Sequence, residues 1–340
     1  MNHFSIKKIT KQTEFYVFLI IVALSLLIQF RSGQFFTNNN IVDLMRSMVV
    51  PSMYAICAFL AFVSTGPDVS FPLIAALSSY ATIVISLNIG YKGPVIWLYV
   101  LAGVFGLLMG AFNGFILVKY KFPALIVTLG TSAIFSGVLF GVLKARRMEL
   151  PSTMLEFGKS SILTVKNADS GLGSQLPSTI LILVGLYIVT YLVLNYTIVG
   201  RGVYAIGGDE VSAERAGFNV KMIRFGVFCA NGVVASIAGM TYSSMTQFAL
   251  PNEFSGAEMT VIAAIILGGT RITGGVGTLK GTLLGTFLIV MVANSLILLG
   301  IPVYWQRVFT GLIIIVGTAI SVRKSSGSVK KSLKAEVTSK

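Results

Sequence analysis

Charge is what this chain has least of. Only 11% of its 340 residues are Asp, Glu, Lys or Arg, against 55% hydrophobic, and the mean hydropathy is +0.85. A soluble domain is about one-quarter charged. So little charge cannot cover a water-facing surface of this size, which excludes an ordinary globular protein and selects a polytopic membrane protein. Histidine occurs once, as His3 in the N-terminal tail, so no His-based catalytic arrangement is available. The two cysteines, Cys57 and Cys229, lie within apolar runs and lack metal-ligand spacing, which argues against a disulfide framework or a zinc site. No G-x-x-x-x-G-K-S/T stretch occurs. The superficially similar Gly275-Val-Gly-Thr-Leu-Lys280-Gly-Thr puts its lysine before Gly281 rather than after a glycine, so this chain is not expected to hydrolyse ATP. Paired carboxylates inside an apolar run, or a line of ionisable residues fit for a proton relay, are missing too. Asp68 and Glu258 alone come near such runs, both at apparent helix starts.

Acids are the scarcer charge, 12 against 26 Lys and Arg, for a net charge of +14. The basic residues sit at the ends of apolar segments and in the C-terminal tail. This placement fits anchoring at anionic lipid, and nucleic acid is not expected as a partner. Lys7, Lys8 and Lys11 precede the first apolar run as in a signal peptide. No small-x-small cleavage site follows Phe30, so an uncleaved first span is expected.

What is abundant is apolar sequence in lengths that match a bilayer. Spans are expected at Phe15–Phe30, Ser47–Thr65, Val69–Asn88, Pro94–Val118, Pro123–Leu143, Ser178–Val199, Phe225–Thr246, Gly256–Gly268, Leu279–Leu299 and Val303–Val322. That is an all-α polytopic membrane protein of about ten transmembrane helices. The eighth span is short and glycine-bounded, as a broken or half-spanning element would be. Placing both termini in the cytoplasm puts most basic residues on that side, among them Lys119, Lys121, Arg201, Arg215, Lys221, Arg224, Arg271 and Lys280. The expected organisation is a cytoplasmic N-terminal tail over 1–14, a transmembrane domain over 15–322 and a basic cytoplasmic C-terminal tail over 323–340.

A possible internal repeat is visible. Gly106-Leu-Leu-Met-Gly110-Ala-Phe112 matches Gly281-Thr-Leu-Leu-Gly285-Thr-Phe287. Asp68, Ser70 and Ile74-Ala-Ala76 echo Glu258, Thr260 and Ile262-Ala-Ala264. Transporters are often built from repeats, and chance in an apolar chain gives the same pattern. The small-xxx-small pairs Gly106/Gly110 and Gly281/Gly285 are read first as close helix packing.

The most informative stretch is polar. Val203–Val220 carries Asp209, Glu210, Glu214 and several glycines between two long apolar runs. It is too polar to enter lipid and too short to be a domain. A short helix over Asp209–Ala216 is expected, with acids in its first turn and Gly217 as its C-terminal cap. Ser212, Ala213 and Ala216 would allow close docking of a soluble partner; a solvated connecting loop is the plainer reading.

The residues Ala205-Ile-Gly-Gly-Asp-Glu-Val-Ser-Ala-Glu-Arg-Ala-Gly-Phe-Asn-Val220 resemble the coupling segment of ribose-type ATP-binding-cassette permeases, which runs A-x-G-G-N-E-x-A-A-x-x-x-G-I-x-V. Pro123-Ala-Leu-Ile-Val-Thr-Leu-Gly-Thr131 is similar to that family's P-x-F-I-V-T-L-G-T. Ile262–Thr278 is similar to its I-A-A-x-x-x-G-G-T-x-x-x-G-G-x-G-S/T, and Tyr304-Trp305-Gln306 and Gly311-Leu-Ile313 fit its closing helix. The resemblance covers roughly 47–321. One departure falls after the second span, where the family has G-G-I-D-L-S-V-G-S. Here Ser64-Thr-Gly-Pro-Asp-Val-Ser-Phe-Pro72 keeps Asp68 and Ser70 but carries Thr65, Pro67, Phe71 and Pro72. It marks a diverged subfamily and puts ribose itself in doubt.

The resemblance implies a cobalamin-importer-like permease fold and a non-catalytic subunit in a bacterial inner membrane. The partners it implies are two ATPase subunits that bind ATP and magnesium, a second permease subunit, and an extracytoplasmic solute-binding protein. No cofactor is expected in this chain. Residues 203–220 become the coupling segment, with Gly207, Gly208, Asp209, Glu210, Ala213 and Gly217 at its core. Asn113, Thr128, Thr131, Ser132 and Asn294 are candidates for a polar translocation path, or else for interhelical hydrogen bonds. Arg31, Arg46, Arg146, Arg147 and Arg307 are candidates for docking the binding protein through bidentate carboxylate pairs, or for contacting headgroups. The cargo reading is a sugar or similar small polar solute, with autoinducer-2, nucleosides and branched-chain amino acids as other cargoes. A stand-alone secondary carrier or channel is the reading from a different class.

Overall fold

The computed structural model describes residues 13–166 and 173–302, with isolated positions at 305, 308, 311, 312 and 315. The expected last span, apart from those positions, lies outside the described residues, as do Arg307, residues 1–12 and the C-terminal tail.

The long apolar runs fold as helices, since a buried or lipid-facing backbone must satisfy its own N–H and C=O groups. They are α1 (Thr13–Ser32), α2 (Asn38–Ser64), α3 (Phe71–Asn88), α4 (Val95–Tyr120) and α5 (Ala124–Gly137), which continues as a π turn over Val138–Val142. After a loop region come α7 (Ile180–Tyr196), α8 (Ile198–Gly208), the short α9 (Glu210–Arg215), α10 (Val220–Thr246), α11 (Ala257–Leu267) and α12 (Leu279–Leu298). Among the described residues, seven helices are long and apolar enough to cross a membrane. The bent pair α7 and α8, which meet at 75°, makes an eighth. The chain is a multi-pass membrane protein by this measure. The element expected at Gly256–Gly268 is the 11-residue α11. At 1.5 Å per residue it is about 16 Å long, half the thickness of a hydrocarbon core.

The loop between α5 and α7 holds more structure than its sequence suggests. It contains β1 (Met148–Glu149), α6 (Ser152–Lys159) and the hairpin β2 (Ser161–Lys166) with β3 (Gly173–Pro177). Strand β1 pairs antiparallel with β4 (Phe248–Ala249), directly after α10. The all-α expectation is corrected to that extent. These strands are two to six residues long and pair across the sequence at the ends of the spans, too short for periodicity to leave a signal.

Contacts between helix ends sort the bundle into two faces. At one, Thr278 before α12 donates to Glu14 in α1, the Gly275 amide donates to the Val63 carbonyl in α2 at 3.0 Å, and Gly66 lies against Ala124 of α5. The opposite face carries the hairpin: Ser174 donates to Asp43 of α2, Phe157 meets Tyr99 of α4 edge-on, and Asn294 of α12 reaches Asn40. Helices α1, α3, α5, α10 and α12 therefore start at the first face; α2, α4, α7 and α11 start at the hairpin face. The two halves of the sequence echo, α3–α4 and α11–α12, run in opposite senses.

Helix α2 is the hub. It is buried from Met48 to Ser64, apart from partly exposed Pro51, and it contacts α3, α7, α8, α10, α11 and α12. Helix α4 crosses α10 backbone to backbone. A methyl group on Gly106 would lie 2.2 Å from the Gly232 carbonyl, and one on Gly232 would lie 2.0 Å from the Gly106 carbonyl. Gly281 and Gly285 of α12 meet α11 the same way, at Gly268 and Ala264. Both glycine pairs thus serve close packing, but they face different partners, which takes the echo no further than the sequence. The outer side of α4 presents Trp97, Val100, Val104, Leu108, Phe112 and Phe115, an apolar stripe suited to lipid.

Candidate functional site

Three places carry polar chemistry. The first is the knob formed by α8, α9 and the turn into α10. Thr197 caps α8, its hydroxyl accepting from the Gly200 amide at 3.1 Å. Asp209 ends α8 and opens α9: its Oδ1 accepts from the Ser212 amide at 2.6 Å. Hydrogen bonding from the Ser212 hydroxyl, and then from its amide, holds the Asp209 carboxyl below its ordinary range. Helix α9 is one residue shorter at each end than Asp209–Ala216, because Asp209 is its cap rather than its first residue. Gly217 follows at φ +90°, and the Phe218 amide returns to the Ala213 carbonyl at 3.1 Å, a left-handed C-terminal cap that suits glycine.

The six expected coupling residues divide into two groups. Ala213 is buried against Ile206 and Val220 and pins α9 to its neighbours. Gly207 is locked at the root of the knob, where an added methyl would lie 1.7 Å from the Val63 carbonyl and 2.5 Å from the Gly275 nitrogen. Glu210 is engaged within the chain, its two oxygens accepting from both terminal nitrogens of Arg224 at 2.9 and 2.7 Å. It is the one ion pair among the described residues. Gly208, Asp209 and Gly217 are exposed, as are Val211, Ser212, Glu214, Arg215 and Ala216. Nothing lies within 4 Å of where a Gly208 methyl would be. The knob therefore has a fixed root and a free outer face, and the root includes residues the sequence reading passed over. Val63, Arg224 and the Gly274-Gly275 turn belong to it. The adjacent glycines, at φ +89° and +70°, were the available signal.

The second place is a buried polar cluster where the chain breaks between α2 and α3. Asp68 is fully buried. Its Oδ1 accepts from the Ser70 amide at 2.8 Å and hydroxyl at 2.7 Å. The Asn231 amide group of α10 donates to the Cys57 carbonyl at 3.0 Å and, more loosely at 3.3 Å, to Asp68 Oδ2. Asn113 of α4 donates to the Ser70 hydroxyl at 2.8 Å, and Thr128 of α5 accepts from the Val69 amide at 3.3 Å. The cluster ties one loop to three helices. Asn113 and Thr128, proposed from sequence as path or as interhelical bonds, here bind α4 and α5 to that loop. Thr131 turns back to the Thr128 carbonyl, Ser132 is half-buried beside it, and Asn294 sits apart, bonded to Asn40. Asn294 is thus set apart from the other four path candidates among the described residues. Asn231, which bridges α2, the loop and α10, lay unremarked in an apolar run.

The third place is a cleft of about 550 Å³ at the hairpin face, between α2, the end of α10, the turn Pro251–Phe254 and α11. Arg46 and Glu253 lie in its lining with Tyr54 and Tyr242. Arg31, Arg46, Arg146 and Arg147 all belong to this face and all are exposed. Arg147 lies over the Phe248 ring, 3.9 Å from its centroid, and the Arg146 amide donates to the Tyr80 hydroxyl at 3.1 Å.

Relatives give this geometry a setting. The chain is 32% identical over 311 residues to the autoinducer 2 import system permease protein of Enterobacter sp. (strain 638), covering 91% of this chain and 86% of that one. It is 29% identical over 307 residues to the ribose import permease protein of Haemophilus influenzae, covering 90% and 91%. The ribose import permease protein of Escherichia coli is 28% identical over 331 residues, covering 95% and 97%. No solved structure matches. Residues 40–317, which take in the hub helix, the knob, the Asp68 cluster and the cleft, match the family described as branched-chain amino acid transport system / permease component, and the chain belongs to that family.

Proposed function

We propose that this chain is the membrane-spanning permease subunit of an ATP-driven importer, carrying a sugar or similar small polar solute handed over by an extracytoplasmic binding protein. The observation that carries the reading is the knob. An exposed short helix, rigidly rooted on the hub helix α2 and on the turn before α12, is what a membrane bundle needs to receive a push from a soluble motor. The cargo class follows the relatives, whose names specify ribose and autoinducer 2.

In this reading the knob end is cytoplasmic, residues 203–220 couple to the ATPase, and the exposed Gly208, Asp209, Gly217 and their neighbours make the contact. Gly207, Glu210 and Ala213 hold its shape. ATP and magnesium are bound by the ATPase. When its two copies close, the knobs move as levers, and the bundle rocks between outward and inward states. The helix count reaches ten with the segment Val303–Val322, both tails (1–14 and 323–340) are cytoplasmic, and the bundle is of cobalamin-importer type. A second permease subunit completes the path in a bacterial inner membrane. Arg31, Arg46, Arg146, Arg147 and Arg307 meet the binding protein or lipid headgroups.

Reconstitution tests it. Vesicles holding the chain with its ATPase and binding protein accumulate D-ribose or another monosaccharide only with ATP on the knob side. Vesicles of the chain alone accumulating solute against a gradient would refute the reading, as would extracellular exposure of a tag inserted at Gly208.

A further inference from the structure

The turn between α11 and α12 is built as a fixed tip. It closes on itself: the Arg271 amide donates to the Val276 carbonyl at 2.9 Å, and the Gly274 amide donates to the Arg271 carbonyl at 3.1 Å. It is also fastened to what lies beneath. The Gly275 amide donates to the Val63 carbonyl of α2, and a methyl group on Gly275 would lie 2.7 Å from the Gly208 Cα. Turn and knob thus sit backbone to backbone on one end of the hub helix. Val63 is fully buried and α2 is ringed by other helices, so this end of α2 lies within the end face of the bundle, away from its lipid-facing edge.

What the tip presents does not suit water. Ile272 is 51% exposed and Val276 44%. A closed, anchored turn cannot fold them away, and lipid does not reach the interior of the end face. Beside them Arg271 is exposed and forms no ion pair among the described residues. The tails of the chain do not complement it: residues 1–12 contain no Asp or Glu, and residues 323–340 contain one acid against six Lys and Arg. The carboxylate that Arg271 lacks must come from another molecule.

We propose that the turn Arg271–Val276 is a second docking element for the ATPase, beside the knob. Ile272 and Val276 seat in an apolar depression of that partner, and Arg271 pairs with a carboxylate at its edge. This second element presupposes the importer reading, in which the knob is the first. Continuity fixes the occupant, because a soluble body that covers Gly208 also meets the turn packed against it. The partner surface this requires is apolar bordered by acid, next to the groove that takes α9. Since the turn runs directly into α12, the ATPase then pushes on that helix as well as on α8.

Binding of the purified ATPase subunit to the chain in nanodiscs, at low and at high salt, tests it. Ile272→Asp weakens binding by about tenfold or more, as loss of an interface anchor does. Arg271→Ala weakens it by about two- to tenfold at low salt and by less at high salt, while Arg271→Lys keeps part of the affinity. Ile162→Asp, on strand β2 at the opposite face, binds as the wild type does. All of these variants keep the wild-type unfolding temperature. If the wild type binds no ATPase, or Gly208→Val costs nothing, the importer reading with its knob fails first. If the wild type binds, Gly208→Val weakens it, and both Ile272→Asp and Arg271→Ala match the wild type, the second element alone is refuted. A loss that follows thermal stability, or that occurs in anionic-lipid nanodiscs and not in neutral ones, assigns these residues a structural or headgroup role and refutes it too.

Discussion

Gly207 and Gly208 are neighbours in sequence and opposites in structure, and that contrast gives the sharpest test of the knob. In Gly207→Ala the new methyl would lie 1.7 Å from the Val63 carbonyl oxygen and 2.5 Å from the Gly275 nitrogen, where ordinary contact needs about 3.5 Å or more. The Val63 carbonyl cannot simply retreat, because it accepts the Gly275 amide at 3.0 Å. The backbone of α8 must lift by more than an ångström from α2 and the Gly274-Gly275 turn. Overpacking of this kind costs about 1–3 kcal/mol, and the lost hydrogen bond adds about 1 kcal/mol. Gly208→Ala has open space and a negative-φ helical backbone, so its cost to the fold is within about 0.5 kcal/mol. The purified chain in detergent would show the difference as an unfolding temperature lowered by several degrees for Gly207→Ala and unchanged for Gly208→Ala. Pull-down of the ATPase completes the test. Bulkier Gly208→Val should weaken association in a chain of wild-type stability, since that residue belongs to the outer face. Equal stability of Gly207→Ala and the wild type would refute the fixed root. Undiminished ATPase association of Gly208→Val would refute the free face.

The Glu210–Arg224 pair predicts that Glu210→Arg and Arg224→Glu each impair coupled uptake, while the double exchange recovers most of it. With one side chain about half exposed, the pair contributes about 1 kcal/mol at most, so a double-mutant cycle on thermal stability should give a coupling of that order, and zero coupling would place Glu210 at the partner instead. Asp209 predicts a pH effect. Its folded carboxyl titrates below the ordinary 3.8, so its support for α9 is complete above that value and is lost as pH falls through the lowered one. Asparagine also caps helices, so Asp209→Asn should keep Ser212 amide protection in hydrogen exchange at neutral pH and remove its acid-side loss. An unchanged acid profile in the variant would dismiss the cap as its origin.

Much of this protein was legible before any fold was known, and the reason is the bilayer. Apolar runs of about 20 residues have one use in lipid, so the spans from Phe15 to Leu299 could be placed from composition, and the short α11 from its glycine borders. Motif order carried the family, and local capping chemistry carried α9, Asp209 and Gly217, since those interactions close within a few residues. Contacts between distant segments were beyond reach. Nothing local says that Gly207 rests on Val63 and Gly275, that Glu210 is spent on Arg224, or that Asn231 reaches Cys57 and Asp68 across the bundle. The strand pairing of Met148 with Ala249 is equally non-local. Sequence made Asn113 and Asn294 alike; the fold buried one in a loop anchor and set the other beside Asn40. It likewise took Tyr54 and Tyr242, two aromatics among many, and put them in one cleft with Arg46 and Glu253. Helices in a membrane are specified by their own hydrophobicity, whereas a site is specified by which faces of separate helices meet, and that depends on packing all of them at once.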